Sequence, residues 1–212
     1  MKRIILLLLP VVAMAVGAPN SSSHKSREET LSVLWQASVS AESSGDTAAA
    51  VEKLMAFAKG GGDPYLANLR AGWLKYGTQK YDEATRFYVA AARLQPQALS
   101  ARLGLLNTAQ AKGDGAAAII AAESVLKVEP TNYRALMAVA WGSFQSKDYR
   151  RSGIAYQRVL TLYPEDVDAL SGAAWCAFYN GHKSEAKEGF RRLMSMNPDY
   201  SYARQGLAAT SR

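Results

Sequence analysis

Apolar residues recur at helical spacing along this chain, in stripes that come in pairs. In the stretch 131–164, Leu136, Val139 and Ala140 share one helical face. Lys147-Asp148-Tyr149 interrupts it, and Ser152, Tyr156 and Val159 form a second stripe that Pro164 ends. This pattern predicts a helix, a short turn and a second helix. Four of the seven prolines, Pro96, Pro130, Pro164 and Pro198, follow one another at intervals of 34 residues. A fixed period in this range means stacked supersecondary units, each in contact with its neighbours. The predicted fold class is therefore all-α: an α-solenoid of 34-residue helix-turn-helix repeats with a C-terminal capping helix.

The same pattern divides the rest of the chain. Residues 19–30, PNSSSHKSREET, are polar and Ser-rich and predict a flexible linker. Ser26 and Glu29, at capping-box spacing, mark the expected entry to the first helix. Residues 31–63 form a divergent first repeat, with Leu34 and Ala37, a turn at Gly45-Asp46, then Ala50, Leu54 and Phe57. Gly60-Gly61-Gly62 closes that repeat and is the expected flexible joint, after which Asp63-Pro64 starts a new helix. Residues 64–96 carry Leu69, Gly72 and Trp73, a stretched turn between Gly77 and Tyr81, then Ala84, Tyr88 and Ala91. Residues 97–130 carry Leu105, Leu106 and Ala109, the turn Gly113-Asp114, then Ala118, Ala122 and Val125. With no large second-helix aromatic, this copy is expected to pack least strongly. Residues 131–164 are the best-formed unit. Residues 165–198 follow with Leu170, Ala173 and Ala174, the turn Asn180-Gly181, then Ala186, Phe190 and Leu193. Residues 199–212 hold one helix of pattern, with Leu207 and Ala208, and read as the cap.

A 34-residue helix-turn-helix with small residues at two crossing points and a closing proline resembles the tetratricopeptide repeat family. The small residue of the first helix is matched by Gly72, Ala140 and Ala174, and that opening the second helix by Ala84, Ala118, Ser152 and Ala186. Tyr81 and Tyr149 match the turn aromatic; Tyr88, Tyr156 and Phe190 match the second-helix aromatic. Leu106, Gly115 and Ala122 depart from the pattern. Short side chains at a crossing let two helices approach to about 8–10 Å. The resemblance implies a concave surface, lined by first helices, that binds other proteins or peptides.

With Tyr133 and Val167 counted as first positions, Trp141 and Trp175 both fall at position nine, and Phe144 and Phe178 at position twelve. Trp73 and Tyr76 take these places in the copy 64–96, and Asn107 and Gln110 in the copy 97–130. These eight residues are the candidate partner-binding set. Phe144 and Phe178 also suit packing against a neighbouring helix, and Trp141 and Trp175 contact between adjacent repeats. The Lys, Asn and Arg constellation with which some family members clamp a terminal carboxylate is missing, so the expected ligand is an apolar or aromatic segment.

Composition narrows the function without naming a partner. The net charge of +7 includes no basic run dense enough to argue for nucleic acid, and Arg150-Arg151 and Arg191-Arg192 read as pairs on solvated faces. Cys176 is the single cysteine, so no internal disulfide is possible, and neither His24 nor His182 has an evident route to it. No cluster has metal-ligand or triad spacing, so neither cofactor nor enzymatic activity is expected. Residues 1–18, MKRIILLLLPVVAMAVGA, read as a signal peptide, with Lys2 and Arg3 before an apolar core and Ala13 and Ala15 in an A-x-A pattern. The apolar run is short for a bilayer span. These features predict export to a periplasm, with secretion or an uncleaved N-terminal anchor as alternatives. The expected role is a binding scaffold in envelope assembly; an accessory subunit or chaperone, or a structural homo-oligomer, are the alternatives.

Overall fold

The computed structural model describes residues 21–211, which form eleven α-helices joined by short turns. They are α1 (Ser21–Ser43), α2 (Thr47–Lys59), α3 (Pro64–Gly77), α4 (Tyr81–Leu94), α5 (Leu99–Ala111), α6 (Gly115–Leu126), α7 (Tyr133–Gln145), α8 (Tyr149–Leu162), α9 (Val167–Tyr179), α10 (Lys183–Met196) and α11 (Ser201–Thr210). Each helix packs on the next in the chain, and first helices of successive repeats also meet, α3 with α5 and α7 with α9. The buried stripe runs from Ala50 and Leu54 through Leu106, Val125, Leu136 and Val159 to Phe190 and Leu193. The predicted signal peptide and the first two linker residues lie outside the described residues.

The turn inside each repeat sets the period most sharply. Gly45, Gln79, Gly113, Lys147 and Gly181 all adopt positive φ, between 59° and 84°, at intervals of 34 residues. The residue after each donates its N–H five positions back, as Asp46 does to Ala41 O, Asp114 to Ala109 O and Asp148 to Ser143 O. That next residue also heads the second helix. Asp46, Asp114 and Asp148 accept N–H bonds from Ala49, Ala117 and Arg151, satisfying donors that a helix start leaves open. Lys80 and His182 stand in the same place and supply no side-chain cap. The closing prolines also have a partner. Arg158 Nη2 donates to Pro130 O and Arg192 Nη2 to Pro164 O, both at 2.8 Å, tying each repeat's end to the next repeat's second helix.

Three local expectations are corrected. The predicted tether is helical from Ser21 onward, and Ser26 lies inside α1, its carbonyl accepting from Thr30 Oγ1. What holds this polar stretch is a distant partner, because Arg27 Nε donates to Gly60 O at 3.0 Å. The triple glycine is a packed cap, not an open joint. Gly61 takes φ 99°, Gly62 N–H reaches Phe57 O, and a Cβ on Gly62 would strike the Phe57 ring at 2.4 Å. The turn after Gly77 is not stretched: Gly77 ends α3, and Gln79 takes the left-handed position that glycine holds at 45 and 113.

Candidate partner-binding groove

First helices α7 and α9, with α11 and the α5–α6 turn, enclose a groove of about 1110 Å³. Their register explains the lining. Positions two, five and nine of each first helix point the same way, giving Arg134, Met137 and Trp141 from α7 and Asp168, Ser171 and Trp175 from α9; α11 adds Tyr202 and Gln205 at positions two and five. Equivalent positions of successive first helices line one groove because the repeat period places them on the same face of each helix. The floor is shaped by glycine. A Cβ on Gly172 would fall 2.2 Å from the Tyr156 ring, so residue 172 must lack one for that ring to seat. Gly104 receives Tyr88 and Gly206 receives Phe190 in the same way, at intervals matching the repeat.

Of the eight sequence-predicted residues, Gln110, Trp141, Phe144 and Trp175 line this groove; Trp73, Tyr76, Asn107 and Phe178 do not. Trp141 is 57% exposed, its indole stacked on Phe144 at 6.0 Å with an interplanar angle of 5°. Trp175, at the equivalent position, is half-buried because it lies edge-on to Phe190 of α10 at 5.0 Å. Phe178 packs beside Trp175 and Tyr179. Asn107 accepts a bond from Arg134 Nη2 at 2.5 Å. Trp73, 55% exposed, belongs to a separate patch in which the Arg70 guanidinium lies within 6 Å of both Trp35 and Trp73. Arg70 is held there by an ion pair with Glu42. Tyr76 packs on the turn aromatic Tyr81 at 5.8 Å.

Several groove residues escaped the sequence reading. Tyr179 stacks on Tyr149 at 4.5 Å and links α8 to α9, and Tyr200, at the N-cap of α11, and Tyr202, in its first turn, come from the segment read only as a cap. Extending the count to positions two, five and thirteen finds Arg134, Met137, Gln145, Ser171, Tyr179 and Tyr202 among them. Tyr133, at the rim, donates its hydroxyl to Asp166 Oδ2 at 2.9 Å; burial first, and this bond second, push its phenol up to about 12. Cys176 is 1% exposed and points away from the groove, donating to Ser152 Oγ, which in turn donates to Ala140 O. The site therefore offers rings, amides and a few exposed charges. That chemistry suits binding of an amphipathic segment.

Residues 168–200 match the family model described as tetratricopeptide repeat. Solved structures share the fold. A tetratricopeptide repeat protein from Parabacteroides merdae aligns with TM-score 0.65 at 20% identity, over 86% of this chain and 72% of its own. A MamA protein aligns with TM-score 0.66 at 14% identity, over 82% and 95%, and MamA from Desulfovibrio magneticus RS-1 with 0.61 at 16%, over 81% and 97%. No curated protein sequence matches the chain. The chain thus has the α-solenoid fold of these tetratricopeptide repeat proteins, and one of its units, residues 168–200, is matched by the family's own model.

Proposed function

We propose that this solenoid is a protein-interaction scaffold whose groove between α7, α9 and α11 binds an apolar or aromatic peptide segment. One observation carries the reading: Trp141 leaves most of its indole exposed in a groove that the half-exposed rings of Tyr179 and Tyr202 also line. Large exposed aromatics in a concave site concentrate binding energy, because each is rigid and loses water on contact. Selection of a displayed random-peptide library on the purified protein tests it. Segments carrying aromatic and large apolar residues are expected to enrich. A selection that enriches nothing, or the same peptides on a folded Trp141→Ala variant, contradicts the proposal.

The setting we propose lies outside the cytoplasm, in envelope assembly, and it rests on the character of residues 1–18 together with the likeness to tetratricopeptide repeat proteins. A fusion of residues 1–30 to alkaline phosphatase, an enzyme active only after export, is expected to be active. An inactive fusion that accumulates in the cytoplasm would overturn this placement.

A further inference from the structure

Three rings meet where the repeat 131–164 passes to the next. Phe144 lies 5.3 Å from Tyr149 and 5.9 Å from Tyr179, and Tyr149 and Tyr179 stack at 4.5 Å. One repeat earlier the same positions hold Gln110, Gly115 and Gln145, and all three line the groove. None of these three positions carries a ring. A Cβ added to Gly115 would meet nothing within 4 Å, so the space directly beside this backbone is open. Trp141 lines the same groove, its indole exposed.

Resting on the peptide-binding reading above, we infer that this gap is a recognition pocket for an aromatic side chain of the partner segment. The incoming ring enters among Gln110, Gly115 and Gln145, against the indole of Trp141. It stands in for one of the three rings that the chain supplies for itself one repeat later. The two glutamine amides at the rim suit the polar edge of a tyrosine. Charge adds a neighbour. The groove's carboxylates are Asp114 and Asp168, whereas Arg134, the one cation among the described lining residues, already donates to Asn107. A basic residue flanking the ring complements this surface, and an acidic one does not.

The test uses nitrogen-15 spectra of the full protein, read at the Gly115 amide and the Trp141 indole, with three capped tripeptides as probes. Acetyl-Lys-Tyr-Lys-amide is expected to give saturable shifts at both sites. Acetyl-Lys-Leu-Lys-amide and acetyl-Glu-Tyr-Glu-amide should bind about three- to tenfold more weakly, the worth of one ring contact or of the flanking charges. The variant Gln110→Phe/Gly115→Tyr restores two of the trio's three rings; it should lose the shifts while its Tm rises. Gly115→Tyr alone, at a site where a Cβ meets nothing, serves if the double variant does not fold. Equal shifts from the leucine probe, or shifts that persist in the filled variant, overturn the pocket. If the filled variant still binds library-selected peptides, the pocket falls and the groove reading stands. If no peptide is selected while the tyrosine shifts persist and vanish on filling, the groove reading falls and the pocket stands.

Discussion

The ring of Tyr156 in α8 occupies the space that the Cβ of residue 172 in α9 would need, 2.2 Å from a ring carbon. Gly172 is thus the socket that sets how closely two repeats approach, and Gly104 and Gly206 repeat it for Tyr88 and Phe190. In the copy 97–130 the ring position holds Ala122, and the socket one helix later holds Ala138, so the two sites change together within one chain.

Gly172→Ala should therefore destabilise the protein by about 1–3 kcal/mol, the usual cost of overpacking a filled site. Combined with Tyr156→Ala, the added methyl should cost far less, because its obstacle is gone. Thermal melts of the two single variants and the double variant measure this coupling.

Tyr88 links the same socket to pH. Burial first, and the neighbouring Tyr76 second, push its phenol up to about 12. A folded pKa above the unfolded value near 10 means its contribution is fully present below pH 10 and lost as pH rises toward 12. Tyr88→Phe keeps the ring and removes the proton. Between pH 10 and 12 this variant should lose about 2–3 kcal/mol less than the parent in denaturant melts.

Lys147 adopts φ 63° where three other repeats place glycine. A left-handed residue with a Cβ carries a strain of about 1–2 kcal/mol, partly offset by the extra entropy glycine loses on folding. Lys147→Gly is expected to stabilise the fold by about 0.5–1 kcal/mol, seen as a higher denaturant midpoint with unchanged slope.

Cys176 is buried, and that burial pushes its thiol up, offset in part by the bond to Ser152. Its reaction with an aromatic disulfide reagent near pH 8 should be slow and should accelerate with denaturant in step with unfolding. Rapid labelling of the native protein would show instead that α9 opens readily.

The period, the helix pairs and the closing cap were legible because each rests on local spacing and on short side chains at fixed crossings. The left-handed turn at Gln79 has no glycine to mark it, and Gly77, two positions earlier, is helical, which makes the turn look stretched. The helical start of α1 depends on Arg27 reaching Gly60, a contact 33 residues away with no local signal. Equal position in the repeat made Trp141 and Trp175 look alike. They differ in contact: Trp175 lies against Phe190, whereas Trp141 stacks on Phe144 and not on Tyr156, the ring at the equivalent place in α8, leaving most of its indole in solvent. The open place at Gln110, Gly115 and Gln145 was hidden for a simpler reason: an absent ring leaves no mark in a search for aromatic residues.

That difference between the two tryptophans supplies the most direct test of the groove. The best library-selected peptide is titrated calorimetrically into the parent protein and Trp141→Ala, with thermal melts of both and of Trp175→Ala alongside. Trp141→Ala should bind about 10–30-fold more weakly with an unchanged Tm, whereas Trp175→Ala should lower the Tm because it uncovers Phe190. Equal affinity of Trp141→Ala and the parent would contradict the account.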